Sequence, residues 1–302
     1  MIKKILIFII CLLVIFNIPI VSKASENIDY DTQMKQDILI LMLAYPEYIV
    51  KVEKTSDDKV YCTMKSGKKI IYDDKLKKTH EEKLNNPDLQ DMLEQIYPLN
   101  QITNIMDKTF DPGRARHYEL LNEVYGSSKS SIEKNLISLK YGYTNYQFNS
   151  KNNANISLDT VLKELMPLAK NRPDINSILY PASGTYNYRV ISGTGRLSPH
   201  AYGIAIDLKS DKRDYWKWTS IEEGQKRLLD YPEDLVKSFE NNNFVWGGKW
   251  GHFDILHFEY RPEIILKAKY FGNWNSSSKW YDGAPIEENI TQKYIEIIDN
   301  SL

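Results

Sequence analysis

Ser198-Pro199-His200-Ala201-Tyr202-Gly203-Ile204-Ala205-Ile206-Asp207 is the stretch on which the reading of this 302-residue chain turns. Its second part alternates. Ile204, Ile206 and Leu208 share one face of a short strand and Ala205 and Asp207 share the other, because successive strand side chains point to opposite faces. Asp207 is therefore free of the apolar layer. Gly203 and Ala201 let the backbone turn tightly before the strand, so a loop histidine and a strand aspartate can converge on one point. Further on comes Trp246-Gly247-Gly248-Lys249-Trp250-Gly251-His252-Phe253-Asp254-Ile255-Leu256-His257-Phe258-Glu259. In a straight strand Asp254 and His257 would face opposite ways, so a carboxylate beside a ligand requires a bend between them, which the preceding glycines make credible.

The chain has only 5 histidines, His80, His117, His200, His252 and His257, so a metal site has few candidates to draw on. Two imidazoles and a carboxylate, from His200, His257 and Asp207, suit a tetrahedral zinc with one position left open. Each of these residues taken singly is commonly structural; their spacing and the exposed face of Asp207 make them one candidate site. His252 reads as a structural or surface residue of an aromatic, glycine-rich loop. His80 and His117 read as surface residues in polar, helix-like surroundings.

Outward from these clusters, Tyr186 to Ile191, Ile204 to Leu208, Phe244 to Trp246 and His257 to Tyr260 read as short strands, and Pro232 to Asn242 as a helix. Ser157-Leu158-Asp159-Thr160 opens another helix. With no βαβ alternation, the pattern is α+β. The stretch Asn149 to Asn155, rich in asparagine, reads as a linker. Before it, Met34 to Leu43 is helix-like, Lys59 to Asp73 reads as a hairpin around Ser66-Gly67, and Lys75 to Tyr97 as helix interrupted at Asn85-Asn86-Pro87. Asp111-Pro112-Gly113-Arg114 is a turn leading into an amphipathic stretch from His117 to Tyr125, with Arg114 and Arg116 read as a solvated helix start.

The chain begins with Lys3-Lys4, an apolar run from Ile5 to Phe16, and Ser22-Lys23-Ala24, the pattern of a secretory signal peptide cut after Ala24. The expected organisation is a signal peptide over 1–24, an N-terminal accessory region of mixed α/β character over 25–150, a domain over 151–272 that carries the candidate zinc site, and a tail over 273–302 whose helix docks on the body. Cleavage makes the protein secreted or cell-wall associated; a membrane is involved only if the segment stays uncut. Cys62 is then the one cysteine left in the mature chain, which rules out an internal disulfide, and Tyr61-Cys62-Thr63 reads as a buried strand. A formal charge of −1 with scattered lysines excludes a nucleic-acid partner.

The pattern Ser-x-His-x-x-Gly-x-Ala-x-Asp at Ser198 to Asp207, followed by Asp-x-x-His at Asp254 to His257, resembles the zinc D-alanyl-D-alanine carboxypeptidase and L-alanyl-D-glutamate endopeptidase family, the VanY-type enzymes. The likeness is dense from about Tyr186 to Pro262 and loose in the first half. It implies a small antiparallel sheet flanked by helices, and one Zn2+ per chain at His200, Asp207 and His257. It also implies Asp254 as general base and acid, although some relatives carry Glu there, and Arg189 as a group for a substrate carboxylate or the developing oxyanion. Ser198 and Tyr202 are the further candidates for substrate contact. The implied partner is the peptidoglycan stem peptide and the expected activity is D-alanyl-D-alanine carboxypeptidase. L-alanyl-D-glutamate endopeptidase and a non-catalytic, zinc-stabilised wall-binding module are the alternatives.

Overall fold

The computed structural model describes residues 29–141, 143–274 and 279–302. The export segment expected over 1–24 lies outside them.

The first described element is α1 (Tyr30–Ala44), opened by Asp29, whose side chain accepts from the Thr32 N–H. Ile38 to Met42 are buried without a polar face among them, which marks a helix surrounded by protein. The expected hairpin follows: β1 (Ile49–Lys54), β2 (Val60–Met64) and β3 (Lys69–Ile71) form an antiparallel sheet in the order β1-β2-β3. Cys62 sits in its centre opposite Val52 and Ile70, and burial pushes its thiol up to about 12, the inert state expected of a core cysteine. Next are α2 (His80–Asn85) and α3 (Leu89–Leu93), each begun by a reciprocal capping box. They are followed by α4 (Tyr118–Tyr125), α5 (Lys129–Glu133) and the ribbon of β4 (Leu136–Tyr141) with β5 (Thr144–Asn149).

The stretch expected as a linker is instead the end of β5, one turn of 3-10 helix and the start of α6 (Ala154–Ala169). Asn149 is fully buried and its amide donates to the carbonyls of Tyr125 and Tyr202, so here asparagine closes buried backbone rather than solvating a connection. A single cluster of buried apolar residues runs from Met34 to Ile298 and includes both sides of this point.

After α7 (Pro173–Leu179) come α8 (Pro199–Tyr202), β6 (Ala205–Asp207), α9 (Ile221–Leu229), α10 (Glu233–Asn241), β7 (Phe244–Trp246), β8 (His257–Tyr260), α11 (Pro262–Phe271) and α12 (Asn289–Ser301). The expected strand over Tyr186 to Ile191 does not form. The backbone of that segment pairs with its neighbours only at isolated points, the Val190–Leu197 bridge and the Asn187 N–H on the His200 carbonyl, because it runs beside an irregular loop with no continuous edge to pair with. The third sheet has the order β6-β8-β7, antiparallel throughout, so the α+β expectation holds. Phe258 and Tyr260 give one face of β8 to the core, where Phe258 stacks on Phe239 of α10 with ring centroids 4.0 Å apart. By alternation, His257 and Glu259 are left for the opposite face. The terminal helix α12 packs on α1 and β1. No described helix is long and apolar enough to cross a membrane.

Candidate functional site

His200 sits on one turn of helix rather than in an open loop. Ser198 caps α8 and accepts from the His200 N–H at 3.3 Å, Pro199 occupies the first helical position, and Gly203 ends the turn in the left-handed region at φ 70°. A side chain at Gly203 would bring its Cβ within 2.7 Å of Leu136, so the stop also lies against the β4–β5 ribbon. Cap, proline and glycine are all present in the sequence as the marks of a helix.

Register does the rest. Asp207 of β6 is paired directly with His257 of β8, and their side chains share the face that Phe258 vacates. His257 Nδ1 lies 2.9 Å from Asp207 Oδ1 and 3.2 Å from His200 Nε2, and His200 Nε2 lies 3.2 Å from the same Asp207 oxygen. Three donors about 2.0 Å from a tetrahedral zinc would stand about 3.3 Å apart, so the triangle fits a bound ion. The outer contacts fit it too. His200 Nδ1 donates to the Thr185 carbonyl at 2.6 Å, which turns the lone pair of Nε2 inward. His257 Nε2 faces Glu259 at 3.7 Å.

Electrostatics favour a cation in this place. Burial works to raise the Asp207 carboxyl, but the hydrogen bonds with His200 and His257 outweigh it and hold it well below the usual carboxylate range. Burial lowers His257, yet Asp207, Glu259 and Asp254 together raise it to about 10. Without an ion, a proton is the positive charge this acidic surround holds.

Asp254 precedes β8, where the chain bends: the His257 N–H donates to the Asp254 carbonyl at 3.1 Å, and the Asp254 N–H to the Gly247 carbonyl at 2.9 Å. The bend needed to bring Asp254 and His257 to one side is therefore present. Burial raises the Asp254 carboxyl to about 6, with His257 opposing and Asp207 adding to the rise. Among the described residues no hydrogen bond or ion pair engages that carboxylate, which leaves it available to take and return a proton. Gly247 is obligatory at this bend, since a Cβ there would stand 2.4 Å from the Asp254 carbonyl oxygen. Gly247→Ala is expected to displace Asp254 and leave the His200, Asp207 and His257 triangle in place; if Asp254 is the proton-transfer group, turnover falls by about a hundredfold with metal content, measured on the purified variant, at the wild-type level.

The remaining expected site residues divide. Arg189 is exposed, and its carbonyl accepts from the Ser198 N–H at 3.0 Å, so its backbone runs beside the turn that carries His200. Ser198 is buried as the helix cap. Tyr202 is buried as well, and its hydroxyl donates to Asn122 at 2.7 Å. Arg116 corrects the expectation of a solvated helix start: it is buried and grips Glu259 with two guanidinium nitrogens, Nε at 2.8 Å and Nη2 at 2.6 Å. Glu259 thus links the first half of the chain to His257 of the candidate site. Alternation from His257 was the one signal for it, two residues on and on the same face. His117 is likewise not a surface residue; it is buried at the start of α4, where Nδ1 accepts from the Leu120 N–H. Trp216 packs against the core while Trp218 is exposed.

No curated protein and no solved structure matches the chain. A protein-family model does, over residues 192–260, and its description is D-alanyl-D-alanine carboxypeptidase. The matched segment begins just before α8 and ends with β8, taking in His200, Asp207, Asp254 and His257 in their observed arrangement. Over residues 192–260 the chain is therefore similar to the D-alanyl-D-alanine carboxypeptidase family.

Proposed function

We propose that this chain is a zinc peptidase that acts outside the cytoplasm on peptidoglycan stem peptides, as a D-alanyl-D-alanine carboxypeptidase. The observation that carries the reading is the near-equilateral triangle of His200, Asp207 and His257, with an unengaged carboxylate, Asp254, at the adjoining bend. Three protein ligands leave one position of a tetrahedral zinc open, and the adjoining Asp254 carboxylate is a group that a purely structural site does not require.

His200 Nε2, Asp207 Oδ1 and His257 Nδ1 would hold the ion. When bound, it supplies Lewis acidity, polarising the scissile carbonyl and bringing the pKa of water toward about 7. Asp254 takes a proton from the water as its oxygen adds to the carbonyl carbon, then gives a proton to the amine as the carbon–nitrogen bond breaks. Glu259 and the Thr185 carbonyl keep both imidazoles oriented throughout. Arg189 is the group for the terminal carboxylate of the peptide, which a guanidinium can bind through two parallel hydrogen bonds. The N-terminal export pattern supports an extracytoplasmic substrate.

The test uses the purified chain with a stem pentapeptide ending in D-alanyl-D-alanine, followed by mass spectrometry. One equivalent of free D-alanine is expected, suppressed by a chelator and restored by zinc. Cleavage after the first L-alanine, with no D-alanine released, would replace the carboxypeptidase with the endopeptidase. Intact peptide with zinc-loaded protein would remove the enzyme reading altogether.

A further inference from the structure

Two histidines that the first site does not use are brought together elsewhere. His80 is the first residue of α2, held there by the capping box of Thr79 and Glu82. His252 lies in the loop leading to Asp254. Between them stands Asp111, whose side chain is completely buried. Asp111 Oδ2 is 2.8 Å from His80 Nε2 and 2.6 Å from His252 Nδ1, and its Oδ1 accepts from the His252 backbone N–H at 2.9 Å. All three residues offer a ligand atom within 4.8 Å of one another.

We propose that His80, Asp111 and His252 form a second zinc site, which pins the N-terminal region to the loop that carries Asp254. Two imidazoles and one carboxylate are a borderline nitrogen and oxygen donor set of the kind zinc takes. The donors come from three segments, Asp111 being 31 residues from His80 and 141 from His252, so an ion held among them cross-links parts of the chain that no local structure joins.

The ligands are already fixed from outside. The Asp111 N–H donates to Gln95 Oε1 at 2.7 Å, and the Trp216 ring meets His252 edge-on at 4.6 Å. The imidazole rings lie parallel, with centroids 6.1 Å apart. About a quarter of each histidine side chain is open to solvent, 24% for His80 and 23% for His252, which leaves room for water as a fourth ligand. The positive groups nearby do not fill the place. Lys83 is paired with Glu94 and Asp91, and Arg114 approaches Asp111 Oδ2 only to 3.7 Å, farther than either imidazole. The competing arrangement is an ion-free network in which Asp111 accepts a hydrogen bond from each ring.

Counting metal decides between the two. The full chain is loaded with excess zinc, passed into zinc-free buffer and measured by plasma mass spectrometry against protein concentration. Two zinc ions per wild-type chain are expected, with one in His80→Ala, one in His200→Ala and none in the double variant. Since His80 is partly exposed on a short helix, its truncation leaves the core in place; His252→Gln supplies a second variant with the same expected loss of one ion. A wild-type chain that keeps only one zinc, lost in His200→Ala and unaffected in His80→Ala, overturns the proposal and leaves the first site standing. Two ions retained in both His80→Ala and His252→Gln also overturn it. In the His200→Ala background, zinc is further expected to raise the melting temperature, and addition of His252→Gln to abolish that rise.

Discussion

Asp254→Asn is expected to lower turnover by about a thousandfold while leaving zinc at the first site. Asparagine keeps the shape of the side chain and the backbone bend, including the Asp254 N–H on Gly247 and the His257 N–H on the Asp254 carbonyl. What it removes is the ability to accept a proton, and positioned acid–base groups contribute about 10² to 10⁴ in rate. A thousandfold is about 4 kcal/mol of barrier. With no ion bound, burial raises the carboxyl to about 6, and an acid–base group works best when its pKa lies near the working pH. Steady-state kinetics with metal analysis on the same sample checks the prediction: a loss in kcat with unchanged metal content is the expected pattern. Turnover within tenfold of wild type would exclude Asp254 as the base.

The second large effect is expected from Glu259→Gln, and it falls on stability and metal affinity together. Glu259 is fully buried and takes a bidentate grip from Arg116, with Arg261 at 3.5 Å and the Nε2 of His257 at 3.7 Å. Burial works against its charge, but Arg116, then His257 and Arg261, hold the carboxyl well below its usual range. Neutral glutamine leaves the Arg116 charge buried without a counter-ion, and breaking a buried pair from one side costs about 3–5 kcal/mol. Because Glu259 also orients His257, zinc affinity at the first site is expected to fall about 10- to 100-fold. Denaturant unfolding of the metal-free protein isolates the first effect, and a competitive chelator titration the second. A variant as stable as wild type would mean that Arg116 finds another partner.

Local patterns carry a good part of this. The alternation of Ile204, Ala205, Ile206 and Asp207 is a property of any strand, so the side of the strand on which Asp207 stands, opposite the apolar residues, is legible in their order, while its partial burial is not. The hairpin around Ser66-Gly67 and the burial of Cys62 follow from turn chemistry and β-forming residues in the same way. Asparagine is misleading at 149–155, because its frequency in connections says nothing of a side chain whose amide closes two buried carbonyls. The strand expected at Tyr186 to Ile191 fails for a related reason: β-forming residues without a continuous partner edge make isolated bridges.

From the order of residues alone come the two ligand clusters, the need for a bend between Asp254 and His257, and the kinship that the family match over 192–260 supports. The tertiary structure decides what surrounds them. It pairs Asp207 with His257 across the sheet, carries Arg116 over 143 residues to Glu259, and sets Asp111 between His80 and His252. Helix and strand periodicities constrain neighbours only a few positions apart. Which distant carboxylate meets which imidazole or guanidinium is fixed by how the helices and sheets pack, and in this protein those long-range contacts hold the candidate ligands in place.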